Sequence, residues 1–134
     1  MKYSFTAFGH ENILGTHRNT LEFTKDTHLT KNGDCIIGVN CDFELSEIKK
    51  IISNCKNGKL KITIKWPSGT EEISFEANSN FNSGHEIVIR KTNFLSERTL
   101  GINASKSSFE LNKDLISYLK SKNAKINIVF DDNH

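Results

Sequence analysis

Leu29-Thr30-Lys31-Asn32-Gly33-Asp34-Cys35-Ile36-Ile37-Gly38-Val39-Asn40 is the stretch whose reading decides the fold. A polar turn carrying Gly33-Asp34 runs straight into the apolar residues Ile36, Ile37 and Val39. Glycine takes positive φ without steric cost, and an aspartate beside it accepts hydrogen bonds from nearby backbone amides. A tight turn is therefore expected, with Gly33 at positive φ, Asp34 holding it, and a buried strand behind. A weaker copy of the stretch stands at Leu95-Ser96-Glu97-Arg98-Thr99-Leu100-Gly101-Ile102-Asn103.

Working outward, Lys2 to Phe8 alternates apolar with polar residues and reads as a strand. Gly9-His10-Glu11-Asn12 reads as a turn, after which Ile13 to Thr16 resumes the strand. Thr20 to Lys25 alternates cleanly, with Leu21 and Phe23 on one face. Beyond the organising stretch, Leu45, Ile48, Ile51 and Ile52 form a helical stripe with Ser46 as the expected N-cap. Lys59 to Lys65 buries Leu60, Ile62 and Ile64, and Trp66-Pro67-Ser68-Gly69 turns the chain.

The second half repeats this plan. Ile73 and Phe75, then Ile87 and Ile89, then Thr99 to Asn103 supply strands. Asn112 caps a helix with Leu115, Ile116 and Leu119 on its apolar face, and Lys125 to Phe130 is the last strand. Leu21 matches Ile87, Lys25 matches Lys91, Leu29 matches Leu95, Gly38 matches Gly101 and Leu45 matches Leu111. The chain thus reads as a single domain, 1–134, made of two internal repeats at roughly 3–66 and 70–131. Two such units interlocked about a pseudo-twofold axis bury each other's apolar faces. The expected fold is mainly β with two helices, a duplicated β-barrel; the alternative is an open mixed α+β sheet.

The 134 residues suffice for one domain with a real core. With 36% apolar and 25% charged residues the chain is globular, and a net charge of +2 does not by itself indicate a nucleic-acid partner. No apolar stretch approaches the roughly 18 residues of a membrane span, and the N-terminus lacks a signal-peptide core. Cys35, Cys41 and Cys55 are odd in number and lack zinc-finger spacing, so reduced cysteines in a cytoplasmic protein are expected.

The Gly33-Asp34 turn before a buried strand resembles the GD box of the cradle-loop barrels, which include the double-psi barrels and are built from two interlocked copies of one unit. Longer motifs point elsewhere as well. Gly9-His10-Glu11-Asn12, Thr16-His17-Arg18-Asn19-Thr20-Leu21-Glu22-Phe23-Thr24, Leu29 through Val39, and Arg98-Thr99-Leu100-Gly101 up to Leu111 together resemble an archaeal family known as a domain of unknown function, family 371. That resemblance implies an archaeal, single-domain, cytosolic protein and implies no activity.

The residues able to carry chemistry fall into two groups. His10, His17, Glu22 and Asp34 lie close in sequence and are the candidate catalytic residues. A zinc or iron(II) site would need them to converge within about 2.0–2.2 Å of one ion, but their spacing follows no established metal signature, and no metal set is assigned. Arg18, Lys25, Lys91 and Arg98 are the candidate ligand-binding cations, flanking the duplicated turn beside Lys31 and Arg90. Cations at related positions of two repeats could contact successive phosphates, with Trp66, Tyr3 and Phe81 as stacking residues. The leading expectation is a binding module with nucleic acid as its ligand. The alternative is a small enzyme, metal-dependent or not, built on the His10/His17 region. No cofactor and no oligomeric state follow from the sequence.

Overall fold

Alternation of apolar and polar side chains builds the longest hairpin. Strand β4 (Lys59–Trp66) buries Leu60, Ile62, Ile64 and Trp66, and β5 (Gly69–Ala77) answers with Ile73 and Phe75, the two joined by the turn at Pro67-Ser68. The computed structural model describes residues 1–132. Its other elements are β1 (Lys2–Phe8), β2 (Thr20–Thr24), β3 (Ile36–Gly38), α1 (Leu45–Ser53), β6 (Glu86–Arg90), β7 (Thr99–Ile102), a 3-10 turn (Ser108–Glu110), α2 (Lys113–Leu119) and β8 (Lys125–Asp131).

The eight strands form one mixed sheet in the order β1-β8-β4-β5-β7-β6-β2-β3. All neighbours are antiparallel except β2–β3 and β6–β7, which are parallel. This is the open mixed sheet of the sequence alternative, since no ladder among the described residues closes it into a barrel. The two edge strands meet at a single antiparallel pair, Phe8 and Val39, through backbone bonds of 2.8 and 2.9 Å. Phe5 sits at the centre of the aromatic core, its ring 5.7 Å from Phe23, 5.6 Å from Phe43 and 5.9 Å from Phe130. Each such burial contributes about 1.5–3 kcal/mol.

Local expectations fared unevenly. Asn112 caps α2 as expected, accepting the Asp114 amide at 2.8 Å. Helix α1 instead begins at Leu45 with Glu44 in the cap position, so Ser46 lies inside the helix. Residues 9–19 carry no strand. Gly33 is not at positive φ; the residues that are include Asn40 and Asn103, both at 51°. The turn is closed by the backbone, with Ile36 N donating to Gly33 O at 3.1 Å, and the Asp34 carbonyl accepts from Thr16 and His17 at 3.2 and 3.4 Å.

The two parallel pairs resemble each other bond for bond. Glu22 N donates to Cys35 O at 2.9 Å in one, and Val88 N to Arg98 O at 3.0 Å in the other. Both pairs shift register at this point. Beyond them Asn40 N donates to Asp26 O and Asn103 N to Thr92 O.

Candidate functional site

Strand β2 lies between β3 and β6 and is buried at all five residues. Leu21 and Phe23 face the core, which sends Thr20, Glu22 and Thr24 to the opposite face. Segments from far along the chain cover that second face. The Ser108 hydroxyl stands 2.8 Å from the carbonyl oxygens of both Thr20 and Cys35. Arg98 reaches over from the start of β7, its Nη1 lying 3.4 Å from Glu22 Oε1 and 3.3 Å from Glu86 Oε1. The Cys35 thiol is 3.8 Å from the same Glu22 oxygen.

Glu22 is only 6% exposed. Burial, then the hydrogen bond and charge of Glu86, push its carboxyl up to about 7, against the pull of Arg98 and Cys35. Burial also drives the Cys35 thiol up to about 12, helped by the charges of Glu22 and Asp34. Cys35 is therefore a protonated thiol at neutral pH and a poor nucleophile. Burial and the neighbouring Arg98 lower the pKa of Arg90, whose Nε donates to Thr99 Oγ1 at 3.1 Å. A cleft of about 390 Å³ opens beside this cluster, lined by Asn82, Ser83, Glu86, Ser96, Glu97 and Arg98.

One end of the β2–β6 ribbon carries exposed rings. Thr20 pairs with Arg90 across the ribbon, and Lys91 N donates to Asn19 O at 2.8 Å, so Arg18 and Arg90 belong to the same end. The Arg90 guanidinium lies 4.9 Å from the Phe94 ring centre, and Arg18 lies 5.2 Å from that of Phe109. Phe94 is 60% and Phe109 39% exposed, among the few large apolar side chains left in solvent. The Phe109 amide donates to His17 O at 3.1 Å, which holds this ring beside Arg18. Lys91 pairs with Glu110 at 2.8 Å and holds that carboxyl below its usual range.

The remaining sequence candidates are dispersed. Lys25 lies with its ammonium 4.6 Å from the Phe43 ring centre. His17 Nδ1 accepts the amides of Asn19 and Thr20, both at 3.1 Å, and so stiffens the entry to β2. His10 Nδ1 accepts the Asn12 amide at 3.0 Å, and His10 lines a different cleft with Lys120 and Lys122. Among the described residues no group of three or more His, Cys, Asp or Glu side chains is placed to hold a metal ion. Trp66 and Phe81, expected as stacking residues, are buried core residues at 8% and 1% exposure, and the Tyr3 hydroxyl accepts the Glu44 amide. Among the described residues the exposed phenyl rings are Phe94 and Phe109. Sequence reasoning passed over them and over Glu86; the signal available for the rings was an aromatic beside a polar loop with an arginine nearby.

Residues 5–131 match the family described as a domain of unknown function, DUF371. The chain belongs to that family. It is also 36% identical over 126 residues to the uncharacterized protein MJ0206 of Methanocaldococcus jannaschii, covering 90% of this chain and 92% of that one. No helix among the described residues is long and apolar enough to cross a membrane.

Proposed function

We propose that this family member is a binding module for single-stranded nucleic acid, working through the exposed end of the β2–β6 ribbon. The observation that carries the reading is the pair of solvent-exposed rings, Phe94 and Phe109, each with an arginine against it. Every base has a face to stack, and a cation beside the ring meets the phosphate that follows. Leaving two phenyl rings in water gains nothing for folding. Arg18, Arg90 and Lys91 supply three positive charges at this end, with Glu110 opposing one of them. Lys25 and Arg98 are engaged elsewhere, over Phe43 and on Glu22 and Glu86, so the expected four-cation set is replaced by this smaller one.

Fluorescence anisotropy with short single-stranded RNA and DNA tests the proposal. Phe94→Ala and Phe109→Ala should each weaken binding by about 1–3 kcal/mol without lowering the thermal melt. Log affinity should fall against log salt with a slope of about 2, from three phosphates at about 0.7 each. No binding at low salt, or binding indifferent to both substitutions, rules the reading out.

The bond-for-bond likeness of the two parallel pairs also supports reading 3–66 and 70–131 as two copies of one unit. On that reading the Phe8–Val39 pair is the counterpart of the Glu76–Ile102 pair.

A further inference from the structure

A second cleft, of about 460 Å³, lies where the turn after β1 docks on the end of α2, lined by His10, Glu11, Thr27, Lys120 and Lys122. The docking is close. The Gly9 amide donates to Ala124 O at 2.8 Å and the His10 amide to Leu119 O at 2.9 Å. A Cβ at position 9 would stand 2.3 Å from the carbonyl oxygens of both Leu119 and Ser121, so only glycine allows the approach. This contact brings His10 beside Lys120 and Lys122, far away in the sequence. The His10 amide also occupies the Leu119 carbonyl at the negative end of α2, which would otherwise repel an anion.

The donors in this cleft have defined states. A backbone amide can only donate, so His10 Nδ1, accepting from Asn12 N at 3.0 Å, carries no proton. The neutral ring must then be protonated on Nε2, leaving an N–H donor as its unused edge. Lys120 donates to Ile13 O at 2.9 Å, which anchors its ammonium and leaves two of its N–H bonds unspent. Lys122 has no ion-pair partner among the described residues. The Thr27 hydroxyl adds a further donor, and Glu11 is the one carboxylate in the lining. Among the lining side chains donors outnumber acceptors, with two lysines to one carboxylate.

We propose that this cleft binds a phosphate monoester. A monoester carries close to two negative charges at neutral pH and three acceptor oxygens, which matches two ammonium groups and an imidazole N–H. The group could be carried by a small phosphorylated molecule or by the 5′ end of a nucleic acid. This site shares no residue with the Phe94 and Phe109 surface, so the two readings stand or fall separately.

Calorimetric titration of the full chain with AMP, and anisotropy with RNA bearing a 5′-phosphate or a 5′-hydroxyl, tests the site. AMP should bind saturably, and Lys122→Ala should weaken it at least fivefold with an unchanged thermal melt. The His10 Nε2 resonance should move on AMP addition in a nitrogen-detected spectrum. A 5′-phosphate preference lost in Lys122→Ala identifies a nucleic-acid end as the source. AMP binding without that preference identifies a small molecule. Absence of saturable AMP binding, or binding unchanged by Lys122→Ala with the His10 resonance unmoved, overturns the proposal.

Discussion

The parallel pairs β2–β3 and β6–β7 share a backbone and differ in chemistry. The amides of Glu22 and Val88 make the same bond, to the carbonyls of Cys35 and Arg98. Yet one strand turns a carboxylate away from the core where the other turns an isopropyl group. A buried carboxylate costs free energy unless it is paired, and a valine in the counterpart position satisfies the same backbone at no such cost. The comparison teaches that the pair is held by its hydrogen bonds and core face. If so, folding does not require the cluster of Glu22, Glu86 and Arg98, which the substitutions below test.

The largest expected effect tests packing at the glycines of the two pairs. A Cβ on Gly101 would lie 2.2 Å from Phe75 Cδ1 and 3.0 Å from Phe75 Cβ, so rotating the ring does not clear it. On Gly38 the nearest atoms are Ala7 Cβ at 2.9 Å and Phe23 Cδ1 at 3.0 Å. Gly101→Ala should cost about 3 kcal/mol or more in urea denaturation, and Gly38→Ala about 1–2 kcal/mol. Equal costs would show that the two crossings are packed alike after all.

Next in size is the titration of Glu22. Its folded pKa, about 7, stands above the unfolded value of 4.5, so the native state holds more protons between these limits. Stability from this group is therefore present at low pH and is lost as pH rises from about 4.5 to 7. Glu22→Gln keeps the neutral form at every pH. Relative to wild type it should gain about 2 kcal/mol between pH 5 and pH 8, read from denaturant midpoints. Glu22→Val, which copies the second pair into the first, should be at least as stable as wild type at pH 8. A loss of more than about 2 kcal/mol there would mean that the fold does depend on the carboxylate.

The smallest effect sits at the strand entries. His17 Nδ1 accepts the amides two and three residues on, and in the other half the Ser83 hydroxyl does the same for His85 and Glu86, at 3.3 and 3.1 Å. His17→Ala should cost about 1 kcal/mol, as loss of a cap does, while His17→Ser should cost a few tenths. If serine is no better than alanine by thermal melt, the ring contributes through packing and the likeness ends at this position.

Much of the fold was legible because its signals are local. Alternation located β4, β5 and β8, the Pro67-Ser68 turn joined the hairpin, and the Asn112 side chain marked the start of α2. The Gly33-Asp34 turn was placed correctly but explained wrongly, since backbone bonds close it without a positive φ at Gly33. The candidate site was legible only in part. Glu22 and Arg98 were both singled out, but for different roles, and nothing near either residue in sequence announces that they touch. Phe94 and Phe109 were missed because exposure cannot be read from hydrophobicity; the buried Trp66 and Phe81 looked equally suitable.

By itself, then, the sequence determined which residues alternate, which face of each strand is apolar, and where turns and one helix cap fall. Those follow from interactions within a few residues. The tertiary structure alone decided the strand order, the covering of the second face of β2 and the state of Glu22. The reason is physical. A period of two assigns a side chain to a face but says nothing of what will cover that face. Desolvation and charge are sums over neighbours in space, and for Glu22 those neighbours, Glu86 and Arg98, lie 64 and 76 positions along the chain.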